Sequence, residues 1–377
     1  MSSRLNSVEV KRRNRINVFS GLLDTSHATK PELAAQLRLS IPTVGVICDE
    51  LVREGLIREA GMQPSGGGRP AMAYEPCLDR FNALGIDITR NHIYLALTDL
   101  KGKLIAGERQ RFLFEDTPKY IRELSEKVRS FLFQNHKKSD QILGAGISVA
   151  GIVSLQQDRV LYSHVLNVGE ETILNRLTAS DIGVCAIKFF NDATAACMAE
   201  CYSHHAPDSF VFVSLSNSVG GATVINNRIL PGKSGRGGEL GHMLIVPGGR
   251  KCYCGKCGHY DPYGSALLLT GKADGSMQAF FDGLRDGDEE KTGVFDEYLH
   301  YLAMMIHNLH ITTDLPVVLG GYVGSYLKPY LSKIRELVSE MNIFEEDEEF
   351  IFSCEYNVEA SAVGAASYFT KTFIESL

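Results

Sequence analysis

Five potential metal ligands are concentrated in one glycine-rich, polar stretch of the chain, GHMLIVPGGRKCYCGKCGHYD (residues 241–261). These ligands are His242, Cys252, Cys254, Cys257 and His259. Zinc prefers thiolate and imidazole ligands, and a structural zinc site uses four of them at the corners of a tetrahedron. The stretch therefore predicts a structural zinc ion that holds a loop of low intrinsic order, without an open position for catalysis. The alternative is a set of free thiols in a surface loop.

The composition agrees with a metal site in a globular protein rather than with a disulfide framework. The chain has 377 residues, of which 44% are hydrophobic and 22% are charged, so it can form two or three domains. Its nine cysteines are scattered apart from the one cluster, which favours metal binding in a reducing compartment. There is no run of about 18 apolar residues and no apolar segment behind the basic N-terminus, so we expect a cytoplasmic protein with neither a membrane span nor a signal peptide.

The elements that must position this loop follow a repeated pattern in the larger part of the chain. Residues 81–112 and 208–232 each predict three strands separated by polar turns, and each set is followed by a helix and a further strand. Two such halves in tandem indicate a duplicated α/β architecture with a ligand cleft beyond the carboxyl ends of the strands. Asn191 and Asp192 follow the apolar run IKFF at such a strand end, although the same pair could instead cap a helix.

Residues 1–75 have a different pattern, typical of a helix-turn-helix. We expect Thr29 and Ser40 to cap two short helices joined by a tight turn, because both residue types accept hydrogen bonds from the first turn of a helix. The apolar face of the second helix would consist of Val44, Ile47, Leu51 and Val52. This segment carries a net charge of +2 whereas the whole chain carries −7, so only the N-terminal part is expected to meet nucleic acid.

The segment that follows the second helix, LIREAGMQPSGGGRPAMAYEP, is typical of a two-stranded wing with a glycine-rich tip. We expect Lys30 to contact a DNA phosphate, Thr43 to contact a phosphate or a thymine methyl group, and Arg69 at the wing tip to enter a narrow minor groove. The residues at the start of the second helix, Ile41 and Val46 among them, make no bidentate contact to a base. The alternative is a helical bundle followed by a flexible linker.

The order of motifs along the chain resembles the ROK family of sugar kinases and sugar-responsive repressors. After the winged helix come GIDIT, GAGISVAG, FNDATAA, GGELGHM, CYCGKCGHYD and VVLGG, and the match covers essentially the whole chain. The resemblance implies an α/β fold in which an N-terminal winged helix-turn-helix (residues 1–75) precedes a two-lobed, duplicated, actin/hexokinase-like (ribonuclease-H-like) body (residues 76–377). It puts the first lobe at about 80–190 together with the C-terminal helix, and the second lobe at about 191–355. It also implies a homodimer or homotetramer and a sugar in the interlobe cleft.

The resemblance also bears on the zinc ligands. His242, Cys252 and Cys254 can supply three of them, and the family pattern is similar to CxCGxxGC. In this chain His259 stands at the position of the last cysteine, and Cys257 lies two residues before it. Because histidine is an acceptable zinc ligand, we expect a Cys2His2 site completed by His259, with Cys257 as the alternative fourth ligand.

By the same resemblance, five residues would bind the sugar hydroxyls: Asn191, Asp192, Glu239, His242 and Asp261. Asn191 and Asp192 would bind the central hydroxyls, and in a kinase Asp192 would be the base that deprotonates a sugar hydroxyl. The family usually has glutamate at the last of these positions, and Asp261 is one methylene shorter, which leaves its contact open. On local sequence alone, Glu239 could equally be a solvated loop charge.

The segments that would bind ATP depart from the family's kinases. Their first phosphate loop is similar to DxGGT, whereas Asp87 is followed here by ITRN, which puts Arg90 in place of a glycine. Their second loop is similar to GTGIGGG, and this chain has SNSVGGA at residues 216–222, where Gly220 and Gly221 remain. Glycines allow backbone N–H groups to approach phosphates closely. The sequence therefore predicts that the sugar site is retained, whereas the neighbouring nucleotide site has lost several of its phosphate-binding glycines.

That combination favours a sugar-responsive transcriptional repressor with operator DNA as its partner. A sugar or sugar derivative would shift the lobes or subunits and change the spacing of two winged helices on DNA. Two alternatives remain open from the sequence. One is an active ATP-dependent sugar kinase that carries a DNA-binding head. The other is a constitutive DNA-binding protein whose body is only a dimerisation scaffold.

Overall fold

Two five-stranded sheets and a smaller N-terminal sheet form the frame of the protein. The computed structural model describes residues 7–63, 70–154, 157–201, 206–233, 236–343 and 348–377. Among these residues, no helix combines the length and the apolar character needed to cross a membrane.

The N-terminal head is a winged helix-turn-helix. Its elements are α1 (Ser7–Thr25), β1 (Ala28–Thr29), α2 (Lys30–Leu37), α3 (Ile41–Arg53), β2 (Ile57–Gln63) and β3 (Ala71–Pro76). Thr29 caps α2 in a reciprocal capping box with Glu32, and Ser40 caps α3 by accepting a hydrogen bond from the backbone N–H of Thr43. Strands β2 and β3 form the antiparallel wing, and β1 pairs with the other edge of β3. The predicted fold of the head is therefore confirmed.

The buried face of α3 differs by one residue from the predicted face. Val44, Ile47 and Leu51 are buried as expected, but Val52 is 38% exposed, and Cys48 is buried in its place. Helix geometry explains the difference. Cys48 lies four residues after Val44 and falls within the same apolar stripe, whereas the step from Leu51 to Val52 rotates the side chain by about 100°, to the edge of that stripe.

The first lobe is built on the sheet that follows the head. Its elements are β4 (Asn82–Ile88), β5 (His92–Thr98), β6 (Leu104–Arg111), α4 (Pro118–Gln134), β7 (Ile142–Val149), β8 (Ile152–Ser154), β9 (Arg159–Tyr162), α5 (Ala179–Ile182), β10 (Ile187–Asn191) and α6 (Asp192–Glu200). The strand order is β10-β7-β4-β5-β6, and β8 and β9 form a separate two-stranded ribbon.

The second lobe is built on the other five-stranded sheet. Its elements are β11 (Phe210–Leu215), β12 (Val219–Ile225), β13 (Arg228–Leu230), α7 (Asp261–Gly264), α8 (Ala266–Thr270), α9 (Met277–Arg285), α10 (Glu289–Thr313), β14 (Val317–Gly320), α11 (Gly321–Gly324), α12 (Leu331–Ser339) and β15 (Ile351–Ser353). The strand order is β13-β12-β11-β14-β15. The C-terminal helix, α13 (Ala360–Ser376), follows.

The two sheets repeat one topology. In each, three strands form an antiparallel meander, and two later strands continue the sheet parallel to the first strand of that meander. Parallel strands need long crossover connections, which explains why helices separate the later strands along the chain. This repetition confirms the predicted duplicated α/β architecture of a two-lobed, actin/hexokinase-like fold.

Helix α13 returns from the second lobe and packs directly on the first sheet. A methyl group at Gly85 would lie 1.9 Å from the carbonyl oxygen of Ala362, and one at Gly146 would lie 2.0 Å from that of Ala365. Only glycine allows the helix backbone to approach the sheet so closely. The sequence therefore fixes the position of α13 through small residues on both partners.

The same helix also reaches the head. Arg12 of α1 donates a hydrogen bond to the carbonyl oxygen of Glu375. Three residues at the end of the chain pack against the hydrophobic core of the head: Phe373, Ile374 and Leu377. Because Tyr368, two turns earlier in α13, lines the cavity between the lobes, one helix connects this cavity with the head.

Candidate functional site

A cavity of about 1460 Å³ lies between the two lobes, where β4, β7, β10 and β11 end. Small-molecule sites usually enclose roughly 300–1,000 Å³, so this cavity is large enough to hold a small molecule. It is lined by all five residues predicted to bind a sugar: Asn191, Asp192, Glu239, His242 and Asp261.

Asn191 and Asp192 occupy the junction between β10 and α6. The side-chain oxygen of Asn191 accepts a hydrogen bond from the backbone N–H of Thr194 at 3.0 Å, and therefore caps α6. Its amide nitrogen donates to the carbonyl oxygen of Gly151 at 3.0 Å and to the carboxylate of Asp192 at 3.1 Å. Both expectations for this pair are thus met together, because Asn191 is a helix cap at a strand end that lines the cavity. Its contacts orient the carboxylate of Asp192.

The electrostatics of this junction favour a neutral carboxyl group. Burial raises the pKa of Asp192 to about 7, and the carboxylates of Asp87 and Glu239 contribute to the rise. Burial also raises the pKa of Asp87 to about 6, although the hydroxyl of Ser148 donates a hydrogen bond to it at 2.7 Å. A carboxyl group that titrates near neutral pH accepts hydrogen bonds when ionised and donates one when protonated. Such a group is suited to bind hydroxyls.

Glu239 and His242 are positioned by a glycine-rich loop that lies directly on β12. A methyl group at Gly238 would lie 1.9 Å from the carbonyl oxygen of Gly221, and one at Gly241 would lie 2.4 Å from that of Val219. The two glycines therefore allow backbone to pack on backbone. The result is that Glu239 and His242 lie side by side in the cavity, with 3.8 Å between a carboxylate oxygen of Glu239 and Nε2 of His242.

Asp261 lines the same part of the cavity as Glu239 and His242. It begins α7, is 6% exposed, and accepts a hydrogen bond from the backbone N–H of Val219 at 2.8 Å. Burial raises the pKa of this carboxyl group. The contact with Val219 ties α7 to the strand on which the glycine-rich loop packs, and Asp261 lines the cavity despite its shorter side chain.

Four of the predicted metal ligands converge at one point. The ligand atoms of His242, Cys252, Cys254 and His259 all lie within 4.8 Å of one another. Nδ1 of His242 is 3.3 Å from Nδ1 of His259 and 3.8 Å from Sγ of Cys252, and Sγ of Cys254 is 3.3 Å from Nδ1 of His259. A tetrahedron with Zn–N bonds of about 2.0 Å and Zn–S bonds of about 2.3 Å has edges of about 3.3–3.8 Å. These three separations and the two-thiol, two-imidazole donor set fit a tetrahedral zinc ion.

Cys257 lies outside this group. Its thiol is exposed, and its backbone forms an isolated antiparallel bridge with Lys251. The backbone of the next residue, Gly258, is in the left-handed region (φ +86°), which turns the chain so that His259 reaches the other ligands. The geometry therefore favours His259 as the fourth ligand.

The segment that corresponds to the first phosphate loop of the family's kinases forms a tight turn. The hydroxyl of Thr89 donates to the carbonyl oxygen of His92 at 2.9 Å and accepts from its N–H at 3.1 Å. Arg90 extends across the lobe and donates to the carbonyl oxygen of Val165 at 3.2 Å. Arg90 thus lines the cavity at a position where the family's kinases have a glycine.

The two glycines that remain in the second segment have a packing role. A methyl group at Gly220 would lie 2.9 Å from Cβ of Ala193 in α6, and one at Gly221 would lie 2.3 Å from the carbonyl oxygen of Phe212. These contacts lie within the protein, so they require glycine whether or not a nucleotide binds. Their retention is therefore no sign of a phosphate loop.

Tyr253 and His164 are cavity residues that the sequence reasoning missed. Tyr253 lies between two predicted zinc ligands, and its ring stacks on that of His164 from the first lobe, with 4.9 Å between ring centroids and 19° between ring planes. Its position within the motif CYC was the one signal that could have singled it out.

In the head, two of the three predicted DNA contacts are described. Lys30 forms an ion pair with Asp49 at 3.0 Å and lies over the ring of Tyr74. Thr43 shares a hydrogen bond of 2.7 Å with the hydroxyl of Ser40. The third predicted contact, Arg69, lies outside the described residues.

The sequence of the chain matches known regulators. A sequence model described as the ROK family matches residues 83–372. The xylose repressor of Bacillus subtilis (strain 168) is 28% identical over 269 residues, which cover 69% of this chain and 67% of the relative. The xylose repressor of Caldicellulosiruptor bescii is 24% identical over 376 residues, which cover 99% of this chain and 88% of the relative. The DNA-binding transcriptional dual regulator NagC of Escherichia coli (strain K12) is 25% identical over 252 residues, or 66% of this chain and 61% of the relative.

Solved structures show the same fold. A ROK family transcriptional regulator, a homologue of the E. coli MLC protein, superimposes with a TM-score of 0.78 at 20% identity and covers 98% of both chains. A ROK hexokinase from Thermus thermophilus superimposes with a TM-score of 0.64 at 21% identity, and covers 79% of this chain and 100% of its own. The fold of the body is thus shared with a regulator and with a kinase.

Proposed function

The chain belongs to the ROK family, and on that premise we propose that it is a sugar-responsive transcriptional repressor. In this proposal the winged head binds operator DNA, and a sugar or sugar derivative binds in the cavity between the lobes. The observation that carries the proposal is that all five predicted sugar-binding side chains line one cavity, beside a segment that has Thr89 and Arg90 in place of the phosphate-loop glycines of the family's kinases. The relative that matches 99% of the chain, head included, is named a xylose repressor, which supports the same assignment.

We propose that Asn191, Asp192, Glu239, His242 and Asp261 bind the sugar hydroxyls. The cavity lining brings these carboxyl, amide and imidazole groups together, and they offer both hydrogen-bond donors and acceptors in fixed positions. The raised pKa of Asp192 supports hydroxyl binding. Asp192 would act as a catalytic base only if the chain were a kinase.

We propose that His242, Cys252, Cys254 and His259 hold a structural zinc ion. The metal would join the glycine-rich loop that carries Glu239 to the cysteine-containing loop. Because His242 belongs to both sets, the metal would fix the imidazole ring that faces the sugar.

We further propose that the head comprises residues 1–75 and the body residues 76–377. The first lobe would span about 80–190 together with α13, and the second about 191–355. The packing of α13 on β4 and β7 supports its assignment to the first lobe. The functional unit would be a homodimer or homotetramer in the cytoplasm, since two winged heads are needed to read two half-sites.

In the head, Lys30, Thr43 and Arg69 remain the proposed DNA contacts. Lys30 would have to exchange its ion pair with Asp49 for a phosphate, which costs little because Asp49 is largely exposed. Near Thr43, α3 presents Ile41 and Val46, which are 53% and 56% exposed. Apolar side chains at the start of this helix suit thymine methyl groups rather than hydrogen-bonding base edges.

The test is a DNA-binding selection with the full-length chain. Duplexes selected from a random pool are expected to contain two related half-sites. At least one of D-xylose, D-glucose, N-acetyl-D-glucosamine and its 6-phosphate should change the Kd for the selected duplex about tenfold or more, which corresponds to about 1.4 kcal/mol of coupling.

A matched variant separates the two binding events. Glu239→Gln should reduce the response to the sugar but leave the affinity for DNA unchanged, because Glu239 lies in the cavity and not in the head. ATP-dependent phosphorylation of any of these sugars would identify a kinase instead. DNA binding that no sugar changes would support a constitutive DNA-binding protein.

A further inference from the structure

Tyr253 connects the proposed zinc loop of the second lobe to the first lobe. Its side chain is 44% exposed, and its ring stacks on His164 across the mouth of the cavity. His164 lies in a turn that is closed by a bridge between Ser163 and Val168. The hydroxyl of Ser163 donates to the carbonyl oxygen of Ala150 at 2.6 Å, so this turn is anchored to the end of β7.

A second contact that holds this turn comes from residues 87–91, the segment that corresponds to the first phosphate loop of the family's kinases. Arg90 donates to the carbonyl oxygen of Val165, the residue that follows His164. The side chain that replaces a glycine of the family's kinases therefore helps to hold His164 in position. The stacked pair is thus built on anchored backbone in the first lobe and on the cysteine-containing loop in the second.

The hydroxyl of Tyr253 also contacts a predicted sugar ligand. It lies 3.1 Å from Nε2 of His242, while Nδ1 of the same ring points toward His259 and Cys252. If Nδ1 is the metal-binding atom, Nε2 carries the proton of the neutral imidazole and is a hydrogen-bond donor. This donor is the part of His242 that faces the cavity, beside Glu239. A ligand hydroxyl would need the same N–H.

We propose that the hydroxyl of Tyr253 takes the hydrogen-bonding position on Nε2 of His242 that a sugar hydroxyl would need, and that a hydroxyl of the bound sugar displaces it. The inference rests on the proposed function, because it requires a sugar in the cavity. Displacement of the hydroxyl moves the ring and breaks its stacking on His164, which is a contact between the lobes. Sugar binding is thereby coupled to the relation between the lobes, since the ligand and the interlobe contact compete for one side chain.

The test compares the full-length chain with its Tyr253→Phe variant by calorimetry, using the four sugars named above. Phenylalanine keeps the stacked ring but removes the competing hydroxyl. The affinity for the sugar should therefore rise about three- to tenfold, the value of one hydrogen bond exchanged with water. Tyr368→Phe is the matched control, because this tyrosine also lines the cavity but packs on Phe190 and Lys188. The affinity of the Tyr368→Phe variant for the sugar should change less than twofold.

A second variant reports on the stacked pair itself. The chain contains no tryptophan, so His164→Trp introduces a single tryptophan, which can be excited selectively at the red edge of its absorption, against Tyr253. Its emission should shift when the sugar saturates the site, because the neighbouring ring leaves.

The outcomes distinguish this inference from the proposed function. Weaker or unchanged sugar binding by Tyr253→Phe, with wild-type binding intact, would overturn the role of Tyr253 and leave the repressor proposal standing. An emission that ignores a saturating sugar would also overturn it. If neither the wild type nor any variant binds a sugar, the proposed function itself fails, and this role fails with it.

Discussion

Replacement of Asp192 by asparagine should increase the stability of the protein relative to wild type as the pH rises from 5 to 8. The pKa of Asp192 is raised to about 7 by burial and by the neighbouring carboxylates of Asp87 and Glu239. In an unfolded chain the same group titrates at about 3.9. Between these two values the folded state binds a proton that the unfolded state has released, so the free energy of unfolding falls as the pH rises. Asparagine has no charge to desolvate and removes this loss.

The magnitude follows from the two pKa values. For an isolated group, linkage gives a decrease of about 2.5 kcal/mol in the free energy of unfolding between pH 5 and pH 8. Asp192 lines an open cavity that water can enter, so the effective value is smaller, and we expect about 1–2 kcal/mol. The stability difference between Asp192→Asn and wild type should therefore grow by this amount from pH 5 to pH 8, in favour of the variant.

The assay is urea unfolding of both proteins at pH 5, 6, 7 and 8, followed by circular dichroism. Asp181→Asn is a control of opposite sign, because the hydroxyl and backbone N–H of Thr178 lower the pKa of Asp181. Its contribution is complete above about pH 4 and should be constant from pH 5 to pH 8. A stability difference for Asp192→Asn that is constant over this range, or that shrinks with rising pH, would refute the reasoning. The same variant should lose its response to sugar, which would identify the raised pKa as a cost of function.

Two further predictions concern the metal and the C-terminal helix. His259→Ala should lower the zinc content, measured by atomic absorption of the purified chain, to well below one ion per chain, whereas Cys257→Ser should leave it at one; the reverse result would assign the fourth ligand to Cys257. Gly364→Ala should lower the urea midpoint, because its methyl group would lie 1.7 Å from the carbonyl oxygen of Ala195, at a cost of about 1–3 kcal/mol. Gly293→Ala in α10, where nothing lies within 4 Å, should instead raise stability by about 0.5–1 kcal/mol, and equal effects of the two substitutions would contradict the packing argument.

Local patterns in the sequence were sufficient to predict the head and the two lobes. The capping box at Thr29 and the cap at Ser40 act within four residues, so they can be recognised without the fold. The strands of both meanders follow from alternation and turns. At Val52 the pattern was wrong, because the edge of a helical stripe is decided by what packs against it, and Cys48 is the residue that meets the core.

The sequence predicted which residues line the candidate site, but it did not predict the contacts between them. The motif order supplied the five cavity residues and the four residues of the proposed metal site. Tyr253 was missed because its role depends on contacts with His164 and His242, which are 89 and 11 residues away along the chain. The same is true of Gly220 and Gly221, whose neighbours belong to α6 and β11.

By itself, the sequence of this protein determined which chemical groups are available: thiols and imidazoles at zinc spacing, carboxyl and amide groups at strand ends, and an arginine in place of a phosphate-binding glycine. Ligand types and caps are properties of a few neighbouring residues. Only the tertiary structure decided which nitrogen of His242 faces the other residues of the His/Cys cluster and which faces the cavity, why Asp192 titrates near neutral pH, and that α13 joins the cavity to the head. Orientation, desolvation and packing depend on atoms that are distant in sequence, and those atoms meet only when the two sheets and the returning helix are assembled.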